Sequence, residues 1–189
     1  MARPLDLSAH QPPSGPTLRL RRWVPDDVAD LCAAWQDPEL RARFGMAEPS
    51  TPESSRTFVA MCEERWEAGT ACFLAIVDAG NSALLGGCDL SDLEPGAMGA
   101  QADVGYWVRA EARGRGVGAA ALAMLLQWAE ADLGLTRFSL EAEADNVASS
   151  ALARGAGFVA DGTARVSRSP AGERVLVRYE RRGSSPRHP

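Results

Sequence analysis

Between an alternating run at residues 102–108 and an apolar-striped run that continues to residue 133 lies the hexapeptide Arg113-Gly114-Arg115-Gly116-Val117-Gly118. It joins a strand-like run to a helix, and the strands and helices read on either side of it sum to a mixed sheet in one α+β or α/β domain. The same six residues have a chemical reading. Glycines let backbone approach a ligand without a Cβ in the way, and a helix start offers unpaired N–H groups and the positive end of its dipole. Two arginines add charge-assisted hydrogen bonds to phosphate oxygens. A flexible turn with solvated arginines is the other reading of this loop, and the surrounding sequence has to decide.

The chain has 189 residues, the size of one domain with one core. Its net charge of −5 argues against a dedicated nucleic-acid binder, which needs a basic excess to neutralise phosphates. All 20 cationic side chains are arginine, so Schiff-base and lysine-nucleophile chemistry is excluded. His10 and His188, the only histidines, sit near the ends, which argues against a histidine triad and most zinc sites; no metal is expected. Cys32, Cys62, Cys72 and Cys88 form no CxxC pair and are expected as free thiols. No signal-like segment and no run near the roughly 20 apolar residues of a membrane span is present, so a cytoplasmic protein without membrane attachment is expected.

Residues 1–16, with four prolines, and 183–189 are expected as mobile tails around one domain at 17–182. Residues 17–23 suggest a first strand. Asp26 is expected to cap a helix carrying Val28, Leu31, Cys32 and Trp35 on one face, and the proline- and glycine-marked stretch 38–50 a substrate-facing loop. A second helix is expected from Thr51, with Pro52 in its first turn and Phe58, Met61, Cys62 and Trp66 on its apolar side. Strands follow at 73–77, 84–90 and 102–108, then the long helix from Gly116 with its stop at Gly134. A cleanly alternating strand at 138–143, a short helix at 147–154 and a hairpin over 158–168 and 174–182 complete the chain.

Arg113-x-x-Gly116-x-Gly118 at the start of a helix resembles the pyrophosphate loop of the GNAT superfamily of acyl-CoA-dependent N-acyltransferases. Asn146-x-x-Ser149 and the following Gly157-Phe158 are similar to the next segment of its RimJ/RimL-like branch, the ribosomal-protein N-acetyltransferases. The resemblance spans about residues 17–182, with its strong motifs in 102–165. It implies an α/β (α+β) fold: a mixed, mostly antiparallel central sheet of about seven strands flanked by helices, with a splayed strand pair. It implies acetyl-CoA as co-substrate, its pantetheine arm against the backbone of Trp107 and Val108, its pyrophosphate held across Gly114, Arg115, Gly116, Val117 and Gly118 beside Arg113, and Asn146 on the pantetheine. Asn146 is also open to reading as a plain helix cap. The acceptor implied is a primary amine, a protein N-terminal α-amine or a small molecule, antibiotics included. An acyl-CoA-binding regulatory module is the alternative, and many members of the superfamily pair as homodimers. A Walker loop is excluded because no Gly-Lys-Ser/Thr follows, while a dinucleotide-binding loop with Glu141 as ribose acid fits the glycines but not the late position in the chain.

Acyl transfer to an amine needs an unprotonated nucleophile, stabilisation of the tetrahedral oxyanion and a proton for the departing thiolate. The position where many superfamily members carry a proton-donating tyrosine is Arg154 here, and Ser149 matches the serine assigned that place in the RimL-like branch. Its other reading is a first-turn serine bonded to backbone. For the base, Glu141 is favoured over Glu143, which lies nearer the strand end and more open to solvent, and over Asp103. The carboxylate some relatives carry after the Gly-Phe pair is replaced by Arg168. Trp23, Trp35, Phe44, Phe58 and Trp66 are either core or the wall of an acceptor pocket.

Overall fold

Helices cover both faces of a sheet whose central strands bury side chains on both sides. The computed structural model describes residue 7 and residues 15–93, 101–169 and 172–183. Strands β1 (Leu18–Arg22), β2 (Cys72–Asp78), β3 (Leu84–Ser91), β4 (Gln101–Val108), β5 (Arg137–Glu143), β6 (Val159–Ser169) and β7 (Gly172–Arg182) form one sheet in the order β1-β2-β3-β4-β5-β7-β6. Only the β4–β5 pair is parallel. Helices α1 (Val28–Ala34), α2 (Pro38–Phe44) and α3 (Pro52–Ala68) precede β2, α4 (Val117–Ala131) joins β4 to β5, and α5 (Val147–Gly155) follows β5. Most of the expected terminal tails and the 170–171 turn lie outside the described residues, but Leu7 is buried in the core.

Strand periodicity sorts the core into two layers. On one face Leu74, Ile76, Ala102, Val104, Phe138 and Leu140 meet the apolar side of α4. On the other, Ala75, Val77 and Trp107 meet Leu31 of α1 and Val59 and Cys62 of α3. Trp23, Phe58 and Trp107 belong to this second core, with Trp23 and Trp107 stacked at 6.4 Å. Trp66 instead stacks on Trp128 of α4 at 6.2 Å.

The helix starts follow their capping chemistry. Thr51 Oγ1 accepts from the Ser54 N–H and Ser54 Oγ from the Thr51 N–H, with Pro52 in the first turn of α3, as expected. Two expectations are corrected. The residue organising the start of α1 is Asp27, not Asp26: its buried carboxylate accepts from the Val24 N–H and takes both guanidinium nitrogens of Arg21 at 2.6 and 2.7 Å. The supposed loop at 38–50 contains α2. Asp37 caps it by accepting from Glu39 N–H, Pro38 opens it and Gly45 closes it at φ 65°. The proline and glycine that read as loop punctuation are this short helix's two ends.

Candidate active site

β4 and β5 pair only at Gln101–Arg137, Ala102–Phe138 and Asp103–Ser139, and then diverge. The gap opens into a cavity of about 1040 Å³ lined by the second halves of both strands, the 113–119 loop, α5 and α2. That volume suits a long ligand rather than an ion.

At one end lies the glycine loop. Gly114 and Gly116 take φ of 69° and 77°, a region that side chains resist. Gly116 caps α4 with no side-chain hydrogen bond and no acid in the first turn, so the N–H groups of Val117, Gly118 and Ala119 open α4 without intrahelical partners. Val117 sinks its side chain into the core, and a Cβ on Gly118 would lie 2.9 Å from Leu152 of α5. Arg115 is exposed beside this helix end. Arg113 is committed elsewhere: its Nε donates to the Val108 carbonyl at 3.1 Å, and its two terminal nitrogens pair with Asp37 and Glu39 of α2 at 2.6 Å each. Burial pushes the Asp37 carboxyl up, but the Glu39 N–H and the Arg113 guanidinium outweigh it and hold the group below its usual value.

The ladder with β3 decides which backbone groups of β4 face the gap. Arg109 N–H donates to Leu85 at 2.9 Å, and a Cβ on Gly86 would meet the Trp107 carbonyl oxygen at 2.2 Å. The odd-numbered residues therefore turn to β3, and by the two-residue period Tyr106 and Val108 present their polar groups to the gap. The expectation for Trp107 is corrected: its backbone faces β3 and its indole enters the aromatic core.

Across the gap, Asn146 Oδ1 accepts from the Ser149 N–H at 3.0 Å, so the residue caps α5 and also lines the cavity. Ser149 Oγ lies 2.8 Å from the Tyr106 hydroxyl, which comes from β4. Burial raises the Tyr106 pKa against the pull of Ser149 and of the Arg43 charge, keeping the phenol protonated. The sequence carries no signal of this contact, because which β4 residue meets α5 depends on strand register.

The carboxylates divide by partner. Glu141 is held by Arg165 of β6 through both its oxygens. Glu143, expected to be the more solvated, is the more buried, with side-chain exposure 17% against 31%, because Arg43 of α2 and Arg174 of β7 close on it at 3.1 and 3.0 Å. Asp103 accepts from Ser139 Oγ. Asp89 lines the cavity from β3, and as one acid inside the apolar run 84–90 it has no sequence pattern that marks it. Phe44, 48% exposed, is the aromatic residue from α2 that reaches the cavity. Among the described residues no group of three or more metal-ligating side chains occurs, and no helix is long and apolar enough to cross a membrane.

A sheet that parts beside a helix start with open N–H groups defines a class of α/β fold with a slot for an extended, anion-bearing ligand. The chain belongs to the acetyltransferase (GNAT) domain family, whose model matches residues 17–159. It is an acetyl-CoA-dependent N-acetyltransferase. It is 25% identical over 150 residues to the uncharacterized N-acetyltransferase p20 of Bacillus licheniformis, covering 78% of this chain and 82% of that protein. Its fold is similar to RimL, the ribosomal L7/L12 α-N-protein acetyltransferase, with a TM-score of 0.77 at 20% identity over 96% of each chain. It is also similar to the microcin C7 self-immunity acetyltransferase MccE in complex with acetyl-CoA and AMP, with a TM-score of 0.74 at 20% identity over 93% of this chain and 99% of that one.

Proposed function

We propose that this protein moves an acetyl group from acetyl-CoA to a primary amine by direct attack, with a protein N-terminal α-amine as the leading acceptor. The observation that carries the reading is the gap between β4 and β5, which runs from the open start of α4 to the Tyr106–Ser149 hydroxyl pair. An extended pantetheine arm fits the open edge at the Tyr106 N–H and C=O and the Val108 N–H, the Val108 carbonyl being taken by Arg113. The N–H groups of the 114–118 loop, with exposed Arg115, suit the pyrophosphate. Asn146, already a cap through its oxygen, keeps its amide nitrogen for the arm. The donor supplies an activated thioester. Tyr106 and Ser149 hold a proton beside the place where its sulfur leaves, on the α4–α5 side of the sheet.

An α-amine suits the site because its pKa of about 7.7–8.0 leaves a large neutral fraction, against about 10.4 for a lysine side chain. The fold-similar RimL is described as acting on such an amine, and MccE as a self-immunity acetyltransferase, so peptides and small amines both belong in the test. Incubation with acetyl-CoA and a panel of peptides, alkylamines and aminoglycosides, read as thiol release, should show turnover with at least one. No turnover above background with any amine overturns the reading.

A further inference from the structure

We propose that Asp89 takes the proton from the acceptor amine, working from the α1–α3 side of the sheet while Tyr106 and Ser149 serve the sulfur from the other side. This rests on the acetyl-transfer reading above. Asp89 shares its face of β3 with the layer that holds Trp107, and it stands directly opposite Gly105 of β4. A Cβ on Gly105 would lie 2.4 Å from Asp89 Oδ1 and 2.9 Å from its Cγ. Because Gly105 has none, the carboxylate lies across the β4 backbone, one strand closer to the gap, and lines the cavity together with Gly105 and Trp107. Protein encloses the side chain, yet the residue keeps some exposed surface, as a group facing the cavity does.

The other acids are engaged: Arg165 holds Glu141, Arg43 and Arg174 hold Glu143, and Asp103 accepts from Ser139. Among the described residues no arginine pairs with Asp89. Burial, and then the Asp103 charge, raise its pKa to about 7 against a lowering bond from Ser91. A carboxylate poised there is basic enough to deprotonate an ammonium and acidic enough to release the proton afterwards. Of the titratable groups around it, Asp103 comes from β4, Cys62 from α3 and Cys88 from β3 itself, while the β2 residue opposite is the non-titrating Phe73.

The protons balance. An incoming ammonium gives one proton to Asp89, which passes it to solvent. The neutral nitrogen bonds to the thioester carbon, and the C–S bond breaks. The second proton leaves the nitrogen and ends on the CoA sulfur, relayed by Tyr106 and Ser149.

The test compares wild type with Asp89→Asn, using acetyl-CoA with a peptide α-amine and with an alkylamine. The variant should lose about 10²- to 10⁴-fold in kcat near neutral pH and keep its acetyl-CoA Kd within about twofold. The loss should shrink as pH rises toward each amine's own pKa, a rescue that a merely structural role does not produce. In wild type, kcat/KM should show an acid limb near pH 7 with either amine. An Asp89→Asn enzyme with wild-type kcat, or a wild-type acid limb that only follows the amine's pKa, overturns the assignment. Wild type that turns over no amine overturns the acetyl-transfer reading, and this assignment with it.

Discussion

The Tyr106 hydroxyl of β4 and the Ser149 hydroxyl of α5 meet at 2.8 Å across the point where the sheet parts. Two elements distant in sequence thus bring a protonated phenol to the cavity, although Arg154 stands on α5 where the resemblance implies a tyrosine. Tyr106→Phe keeps the ring in its packing and removes the hydroxyl. It should lower kcat by about 10²-fold or more while KM for acetyl-CoA stays near its wild-type value, as steady-state thiol release will report.

Gly116 carries φ 77° at the start of α4. Alanine there costs roughly 1–2 kcal/mol if the backbone holds, or turns the first N–H groups away if it relaxes. Gly116→Ala should therefore weaken acetyl-CoA binding about tenfold by calorimetry, with little change in the amine dependence.

Asp89 also ties stability to pH. Its folded pKa of about 7 lies above the ordinary 3.8, so between those values an unfolded chain ionises while the folded one stays protonated. Stability from this group is full below 3.8, falls as pH rises, and is lost above about 7. Asp89→Asn removes the penalty. Its Tm should exceed that of wild type at alkaline pH and converge with it toward pH 3.8 in thermal melts.

Burial pushes Cys62 up to about 12 and Cys72 to about 11, and raises Cys88 further. Cys32 alone keeps appreciable exposure. A thiol reagent at mildly alkaline pH should modify Cys32 in the native protein and all four cysteines after denaturation, by mass spectrometry.

Elements whose signals are local were legible in the sequence: α4 from its apolar stripe, α3 from Thr51 and Pro52, β5 from its alternation, and the loop at 113–118 from its glycines. Features set by register were not. Whether Tyr106 or Trp107 turns its amide to the gap depends on which residue of β3 lies opposite, and no pattern along one strand carries that information. Glu143 looked solvated because it ends a strand, yet Arg43 and Arg174 approach it from elements far away in sequence. Nothing in the run 84–90 marks Asp89, whose place at the cavity depends on the glycine facing it across the ladder. The helix at 38–44 is too short to show a period, so only its end signals were visible.

The seam of three residue pairs between β4 and β5 has a consequence for turnover. On the proposed reading, a donor seated along the open edge would complete the sheet like a missing rung, and the spent CoA would have to unzip from the same amides and carbonyls that gripped it on arrival. Any change that made β4 a better ladder for the donor would then also lengthen the product's stay, so that release would set a ceiling on how fast such an enzyme cycles.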